Sequence, residues 1–369
     1  MADIKVEGVK RNSSAFLLMM LILLLFFIGF ATLMSVLSVS PTGNLTKQLM
    51  ISFIALTVFL AMSSGAVKAS FVDKVLRSRF PAIFLGVALG LSLLTALFGT
   101  EINGARRWLF IGGFSIQPSE FLKTAVILFL ASFLGNAKHN HDEIKRFAVI
   151  VALLLICFFV VLFQKDFSTA FITGVLILFM MLFAGFPLWQ FFIIIIGGII
   201  TVMGALFSEE YRTERLMQYI SGEGSFQSNW AVHAVSNGGW IGCGWGAGSI
   251  KARGILPEAE SDFIFAVLAE ELGFIGVLFL FALILIIGAK ALVLADRVKN
   301  RPVRFFLVLG IIFLFLTQTL VNLAVVVGLL PTTGIPLPLF SQGGSSLLCT
   351  MFMLGLLVHV ARTAEDNNG

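Results

Sequence analysis

Ten apolar runs decide what this chain can fold into. They lie at 15–38, 48–67, 80–99, 119–135, 147–163, 167–184, 187–207, 263–289, 304–328 and 345–361, and each is close to the roughly 20 residues that a helix needs to cross a bilayer. Of the 369 residues, 58% are apolar and 12% charged. A soluble domain carries about 25% charged residues, so this chain has too little charge to coat a water-facing surface. The expected fold is an all-α polytopic membrane protein, a single integral membrane domain over 1–369 with ten transmembrane helices and no large extramembrane domain. The first run is too long for a signal-peptide core and continues directly into further spans, so it is expected to remain as a helix.

An even number of spans puts both ends of the chain on one side. Alternating the loops between sides places sixteen Lys and Arg on the side of the N-terminus and eight on the other, with Lys123 inside a span. Cytoplasmic loops are enriched in cations, so both termini are expected in the cytoplasm. Topology then accounts for the net charge of +5 without a nucleic-acid partner. The opposite side carries one long loop, 208–262, between the seventh and eighth spans. It holds Glu209, Glu210, Glu214, Glu223, Glu258, Glu260 and Asp262, with Trp230, Trp240 and Trp245 among many glycines. Such a composition suits backbone lying at the membrane interface, and chemistry is expected there. The glycines from Gly242 to Gly248 lack the strand before and helix after that a dinucleotide loop requires.

Three cysteines, Cys157, Cys243 and Cys349, give no disulfide framework and read as core filler. His139 and His141 beside Asp142 fit a metal site or, more simply, a solvated charged loop.

Ionisable groups within spans are costly and usually face the bundle interior or a wet cavity. Lys123, Glu270 and Glu271 qualify. Pro118 suits the first position of the fourth helix, and Glu120 then lies on the same face as Lys123. That pair reads either as a structural ion pair or as a cation held in a cavity to meet an anionic headgroup. One of Glu270 and Glu271 is expected to be buried and paired, with Lys123 as a candidate. Asp262 stands where the eighth helix begins, which fits a helix cap as well as a functional carboxylate. Arg106 and Arg107, in the short outer loop Asn103-Gly104-Ala105-Arg106-Arg107-Trp108, fit a phosphate clamp or a solvated turn with Trp108 as an interface anchor. Three prolines and Gly343-Gly344 between Pro331 and Ser346 forbid a regular helix. Broken backbone at membrane depth is tolerated where protein or water satisfies it, which suggests a re-entrant loop lining a cavity; an ordinary loop is the alternative.

Taken together, Asn103-Gly104-Ala105-Arg106-Arg107-Trp108, Gln117-Pro118-Ser119-Glu120 with Lys123, Leu256-Pro257-Glu258 leading to Asp262-Phe263-Ile264-Phe265 and Glu270-Glu271-Leu272-Gly273, and Leu330-Pro331 through Ser341-Gln342-Gly343-Gly344-Ser345-Ser346 resemble the signatures of the SEDS family. This is the shape, elongation, division and sporulation family that includes FtsW and RodA. The resemblance implies polymerisation of glycan strands from lipid II at the outer face of the bacterial cytoplasmic membrane, alongside a class B penicillin-binding transpeptidase and other divisome or elongasome membrane proteins. By motif, it gives Asp262 the place of the family's catalytic aspartate. It places Arg107, Glu120, Lys123 and the loop containing Ser341, Gly343, Gly344 and Ser345 around the substrate cavity. Trp108, Pro118, Asp166, Glu258, Glu270 and Glu271 take supporting positions.

The chain departs from the family pattern at three places. Glu260-Ser261 stands where His-Thr is usual, Gln164-Lys165-Asp166-Phe167-Ser168-Thr169 where Gln-Pro-Asp-Leu-Gly-Thr is common, and Gln342 replaces a common Tyr. Like-charge repulsion from Glu260 is expected to raise the pKa of Asp262. The spelling of the arginine motif and Ala259 are closer to the division branch than to the elongation branch. The expected chemistry has Asp262 accepting the proton of the acceptor sugar's 4-hydroxyl. Arg106, Arg107, Lys123, Lys251 or Arg253, with or without a divalent cation such as Mg or Mn, would neutralise the departing pyrophosphate. A flippase for the same lipid and a non-catalytic scaffold for the transpeptidase are the rival classes.

Overall fold

The computed structural model describes residues 13–40, 44–102, 104–136, 143–207 and 226–366, together with Met217. His139, His141, Asp142, Glu209, Glu210, Glu214 and Glu223 lie outside the described residues, as does Asn103. Each of the ten apolar runs forms a helix. These are α1 (Ser13–Leu37), α2 (Leu45–Ser63), α4 (Phe80–Phe98), α5 (Pro118–Gly135), α6 (Glu143–Phe163), α7 (Phe167–Phe183), α8 (Leu188–Phe207), α11 (Ile264–Arg297), α12 (Pro302–Val326) and α13 (Gly344–Asp366). Eight are long and apolar enough to cross a membrane, and α7 and the Leu188–Thr201 stretch of α8 are shorter apolar segments. The chain is thus a helical, multi-pass membrane protein. Among the described residues three further helices lie between spans: α3 (Ala69–Arg77), α9 (Phe226–Gly238) and α10 (Ser249–Ala252).

The helices sort by how much polar side chain they bury. The most enclosed are α5, α12 and α13, which carry Glu120, Lys123, Gln318, Thr319, Asn322, Ser345 and Thr350 inward. Peripheral helices turn apolar side chains outward instead, as α8 does with Phe192, Ile196 and Ile200. In lipid an apolar surface needs no cover, so the interior is where the polar groups collect.

The segment expected as a short outer loop is a small antiparallel sheet, β1 (Thr100–Ile102), β2 (Ala105–Ile111) and β3 (Phe114–Ile116), in the order β1-β2-β3. The second turn is Gly112-Gly113, both with positive φ (57° and 82°), the conformation that a two-residue hairpin demands.

The eighth span is not the single helix expected over 263–289. It runs on to Arg297 and breaks at Gly273, where φ is 64° and ψ −171°. The glycine-rich loop 239–244 fills the break. Phe274 N and Ile275 N donate to Gly239 O (2.9 Å) and Trp240 O (3.1 Å), while Cys243 N and Gly244 N donate to Glu270 O (3.0 Å) and Glu271 O (3.1 Å). An unbroken helix would join Phe274 to Glu270 and Ile275 to Glu271; here the loop takes both partners of both bonds. The approach is so close that a Cβ on Gly238, Gly242 or Gly273 would collide with backbone atoms across the contact.

Gly273→Ala is therefore expected to lower stability by more than about 1–3 kcal/mol, the cost of a strained non-glycine conformation alone, because its Cβ would also press on the backbone of Ile241 and Gly242. Gly90→Ala, in open space on α4, should be neutral or slightly stabilising. Melting temperatures of the two variants in detergent compare them directly, and equal values would contradict the assignment of the break.

Candidate functional site

The four motif regions converge at one end of the bundle. Asp262 ends the turn 257–263 and precedes Phe263, the N-cap residue of α11, which makes no side-chain cap hydrogen bond. Its backbone is held from below: Asn322 Nδ2 on α12 donates to Asp262 O and to Ile335 O, both at 2.8 Å. Asn322 is 1% exposed, so this amide fastens the aspartate's segment to the loop 330–338. Further on in that loop, Ser341 Oγ donates to Ser261 O at 2.5 Å and accepts from Leu337 N at 2.7 Å, and Gln342 N donates to Glu260 O at 2.7 Å.

Asp262 and Arg107 meet over Gly334. A Cβ built on that glycine would stand 3.5 Å from Asp262 Oδ2 and 3.8 Å from Arg107 Nη1. Gly334 has φ +71°, a conformation in which side chains are strained. Arg107 is aimed there by its other contacts: Nη2 donates to Lys165 O at 2.6 Å, and Nη1 lies 3.8 Å from Asp166 Oδ1. Asp166 is itself the N-cap of α7 and accepts from Thr169 N and Thr169 Oγ1. Ser168 Oγ donates to Thr333 O, next to Gly334. The Lys165 that replaces a common proline has φ 57°, which a proline ring, fixed near −65°, cannot adopt.

On α5, Lys123 Nζ donates to Glu120 Oε1 at 2.7 Å, with both side chains about 5% exposed or less. Pro118 starts α5, and Gln117 N donates to Ser345 Oγ at 2.9 Å, tying that start to α13. Gly344 packs against Ile51 of α2, and Gly343 against Ser346. Lys123 therefore takes Glu120 as its partner, the ion pair that the sequence offered for this helix face, and not Glu270 or Glu271, the other candidates.

Other candidate residues stand elsewhere. Arg106 and Arg107 stand at an irregularity in the β1–β2 register, and their guanidinium groups go to different partners, so they do not clamp one ligand together: Arg106 is exposed and donates to Leu97 O at 3.3 Å and to Glu101 Oε2 at 3.4 Å. Trp108 pairs with Thr100 in the sheet. Lys251 is buried in an ion pair with Glu271 and donates to Ser35 Oγ on α1. Both Glu270 and Glu271 are buried, not one: Glu270 accepts from Ser249 N, Ser249 Oγ and Ile250 N. Those two carboxylates pin α10, and Arg253 caps its far end in the open. Glu258 adopts φ 57° and accepts from Ser261 Oγ at 2.8 Å.

Cys243 is exposed rather than core filler, whereas Cys157 and Cys349 are buried. Partial desolvation, then the Glu270 carboxylate, pushes the Cys243 thiol above its usual range, leaving little thiolate at neutral pH. Among the described residues no group of three or more His, Cys, Asp or Glu could hold a metal ion. Asn322, which sequence reading missed, had a signal: it is one turn beyond Gln318 inside an apolar span, where polar side chains are rare.

The comparisons with known proteins place the chain in a family. Residues 15–366 match the family described as "Cell cycle protein", that of FtsW, RodA and SpoVE. The chain belongs to this family. It is 36% identical over 316 residues to a probable peptidoglycan glycosyltransferase FtsW of Aliivibrio salmonicida, covering 83% of this chain and 78% of that protein. The FtsW of Borreliella burgdorferi, bearing the same description, is 32% identical over 352 residues and is covered to 93%, with 92% of this chain. A chain from a peptidoglycan synthase complex, solved for its structural coordination of polymerization and crosslinking, superposes with a TM-score of 0.75 at 26% identity, covering 94% of this chain and 97% of that one.

The enclosed ion pair gives a direct test. Glu120→Gln or Lys123→Gln alone strands a buried charge and should cost about 3–5 kcal/mol, whereas the double variant should recover most of the loss. Melting of the four proteins forms a double-mutant cycle, and additive losses would contradict the pairing.

Proposed function

We propose that this chain, a peptidoglycan glycosyltransferase by its family, polymerises lipid II with Asp262 as general base and Arg107 as the cation facing the leaving group. The carrying observation is that Asp262 Oδ2 and Arg107 Nη1 both lie beside the exposed Gly334. In the step, the acceptor's 4-hydroxyl oxygen attacks the donor's anomeric carbon and the bond from that carbon to the pyrophosphate oxygen breaks. Asp262 takes the hydroxyl proton, and the bonding electron pair leaves with the polyprenyl pyrophosphate. A single displacement inverts the anomeric centre. Arg107 offsets the charge that develops on the departing oxygens, and Lys123 beside Glu120 adds a second cation deeper in the bundle.

Support for the orientation comes from the distribution of cations, which puts the Asp262 end outside. The membrane is then the bacterial cytoplasmic membrane, with lipid II reached from its outer leaflet. The names of the FtsW relatives favour septal wall synthesis in cell division. The likeness to a synthase-complex chain favours a penicillin-binding transpeptidase as partner.

The test is reconstitution with lipid II and the transpeptidase partner, comparing the wild type with Asp262→Asn. Loss of the base should slow strand formation by about 10²–10⁴-fold with melting temperature unchanged. Glycan strands growing at the wild-type rate, or lipid II flipping in the absence of any polymer, would overturn the reading.

A further inference from the structure

At the end of the bundle away from Asp262, α4, α5 and α6 enclose a cavity of about 370 Å³. It takes in the last turns of α5, from Phe129 to Asn136, roughly 17–27 Å along the axis from Pro118 at 1.5 Å per residue. Its walls are apolar where the helices pass, with Pro81, Phe129, Phe133 and Val149, and cationic at the rim, with Lys145 and Arg146. The two rings Phe129 and Phe133 stack at 5.7 Å. On the outer side Phe80, Ile83 and Val149 are exposed to the surrounding hydrocarbon, so the cavity can be entered sideways from a leaflet.

Among the described residues, cations outnumber carboxylates around it. Lys68, Lys74, Arg77 and Arg79 lie on or beside α3 at the same end. The carboxylates described there are engaged: Asp73 accepts two hydrogen bonds from Arg304, at 2.9 and 2.6 Å, and Glu143 accepts from Gln190 Nε2 at 3.1 Å. Arg146 rests its guanidinium over the Phe186 ring at 5.0 Å, and its buried Nε has no hydrogen-bond partner. A donor left in that state is costly unless something supplies an acceptor.

We propose that this cavity holds one anionic phospholipid, its phosphate on Lys145 and Arg146 and an acyl chain against Phe129, Phe133 and Val149. Basic pockets between transmembrane helices are the sites at which anionic headgroups are recognised, and the volume falls within the usual range for a ligand site, about 300–1,000 Å³. A free phosphate ion would gain nothing from the aromatic wall. The lipid would wedge the three helices at one end while catalysis proceeds at the other, so its loss is felt as stability before it is felt as chemistry.

The experiment uses the full chain in neutral detergent, titrated with phosphatidylglycerol, with phosphatidylcholine of the same acyl chains, and with inorganic phosphate. Melting temperature and bound lipid by native mass spectrometry are the readouts. Wild type should bind and be stabilised by phosphatidylglycerol alone. Lys145→Gln with Arg146→Gln should weaken that binding about 25-fold, at about fivefold for each cation near a membrane surface. Ser132→Trp, which fills the cavity and leaves both cations in place, should abolish it. Equal stabilisation by phosphatidylcholine or by inorganic phosphate, or undiminished binding by either variant, would overturn the proposal. Should the double variant fail to fold, the Ser132→Trp protein and the wild-type preference between the two lipids still decide it.

Discussion

The structure depends on a backbone exchange at Gly273. Within a bilayer every peptide group must find a partner inside the protein, so a helix can break only where another segment supplies what the helix gives up. The loop 239–244 does this bond for bond: it accepts from Phe274 and Ile275 and donates to Glu270 and Glu271. Glycine is needed on both sides of the contact, at Gly238 and Gly242 on the loop side and Gly273 in the helix, because the backbones touch without room for a Cβ. The segment of α11 before the break, headed by Asp262, is thereby fixed to the outer loop rather than to the long span below it.

The buried ionic groups act along the same line. Glu271 with Lys251, and Glu270 with the start of α10, hold the loop that leads into the turn before Asp262. Glu120 with Lys123 lies buried on α5, and Arg304 with Asp73 closes the opposite end against Thr363 of α13. Buried pairs add little net stability but are costly to break. Their effect here is to fix which helices meet, and so where the carboxylate and the guanidinium over Gly334 sit.

Hydropathy made the spans legible because the lipid requirement is written residue by residue, and each of the ten runs became a helix. The outer sheet is legible in part: Gly112-Gly113 is a hairpin turn pair that follows Trp108, Leu109, Phe110 and Ile111. The carboxylates 270 and 271 were recognised as costly, but their partners lie about twenty residues back in a loop whose fold no periodicity reveals. The break at Gly273 carried no proline, and a lone glycine inside an apolar run gives no sign of a second backbone approaching. The motifs point to Asp262 and Arg107, but only the fold shows that both reach Gly334 while the neighbouring Arg106 binds Leu97 O and Glu101.

The central claim is that Asp262 acts on the proton and not on the fold or the grip on substrate. The most direct measurement is the affinity of purified Asp262→Asn for lipid II beside its single-turnover rate. The account predicts a dissociation constant within about twofold of wild type while bond formation falls by orders of magnitude, the mark of an interaction made only in the transition state. A dissociation constant that rises in step with the lost rate, or a rate that does not fall, would contradict it.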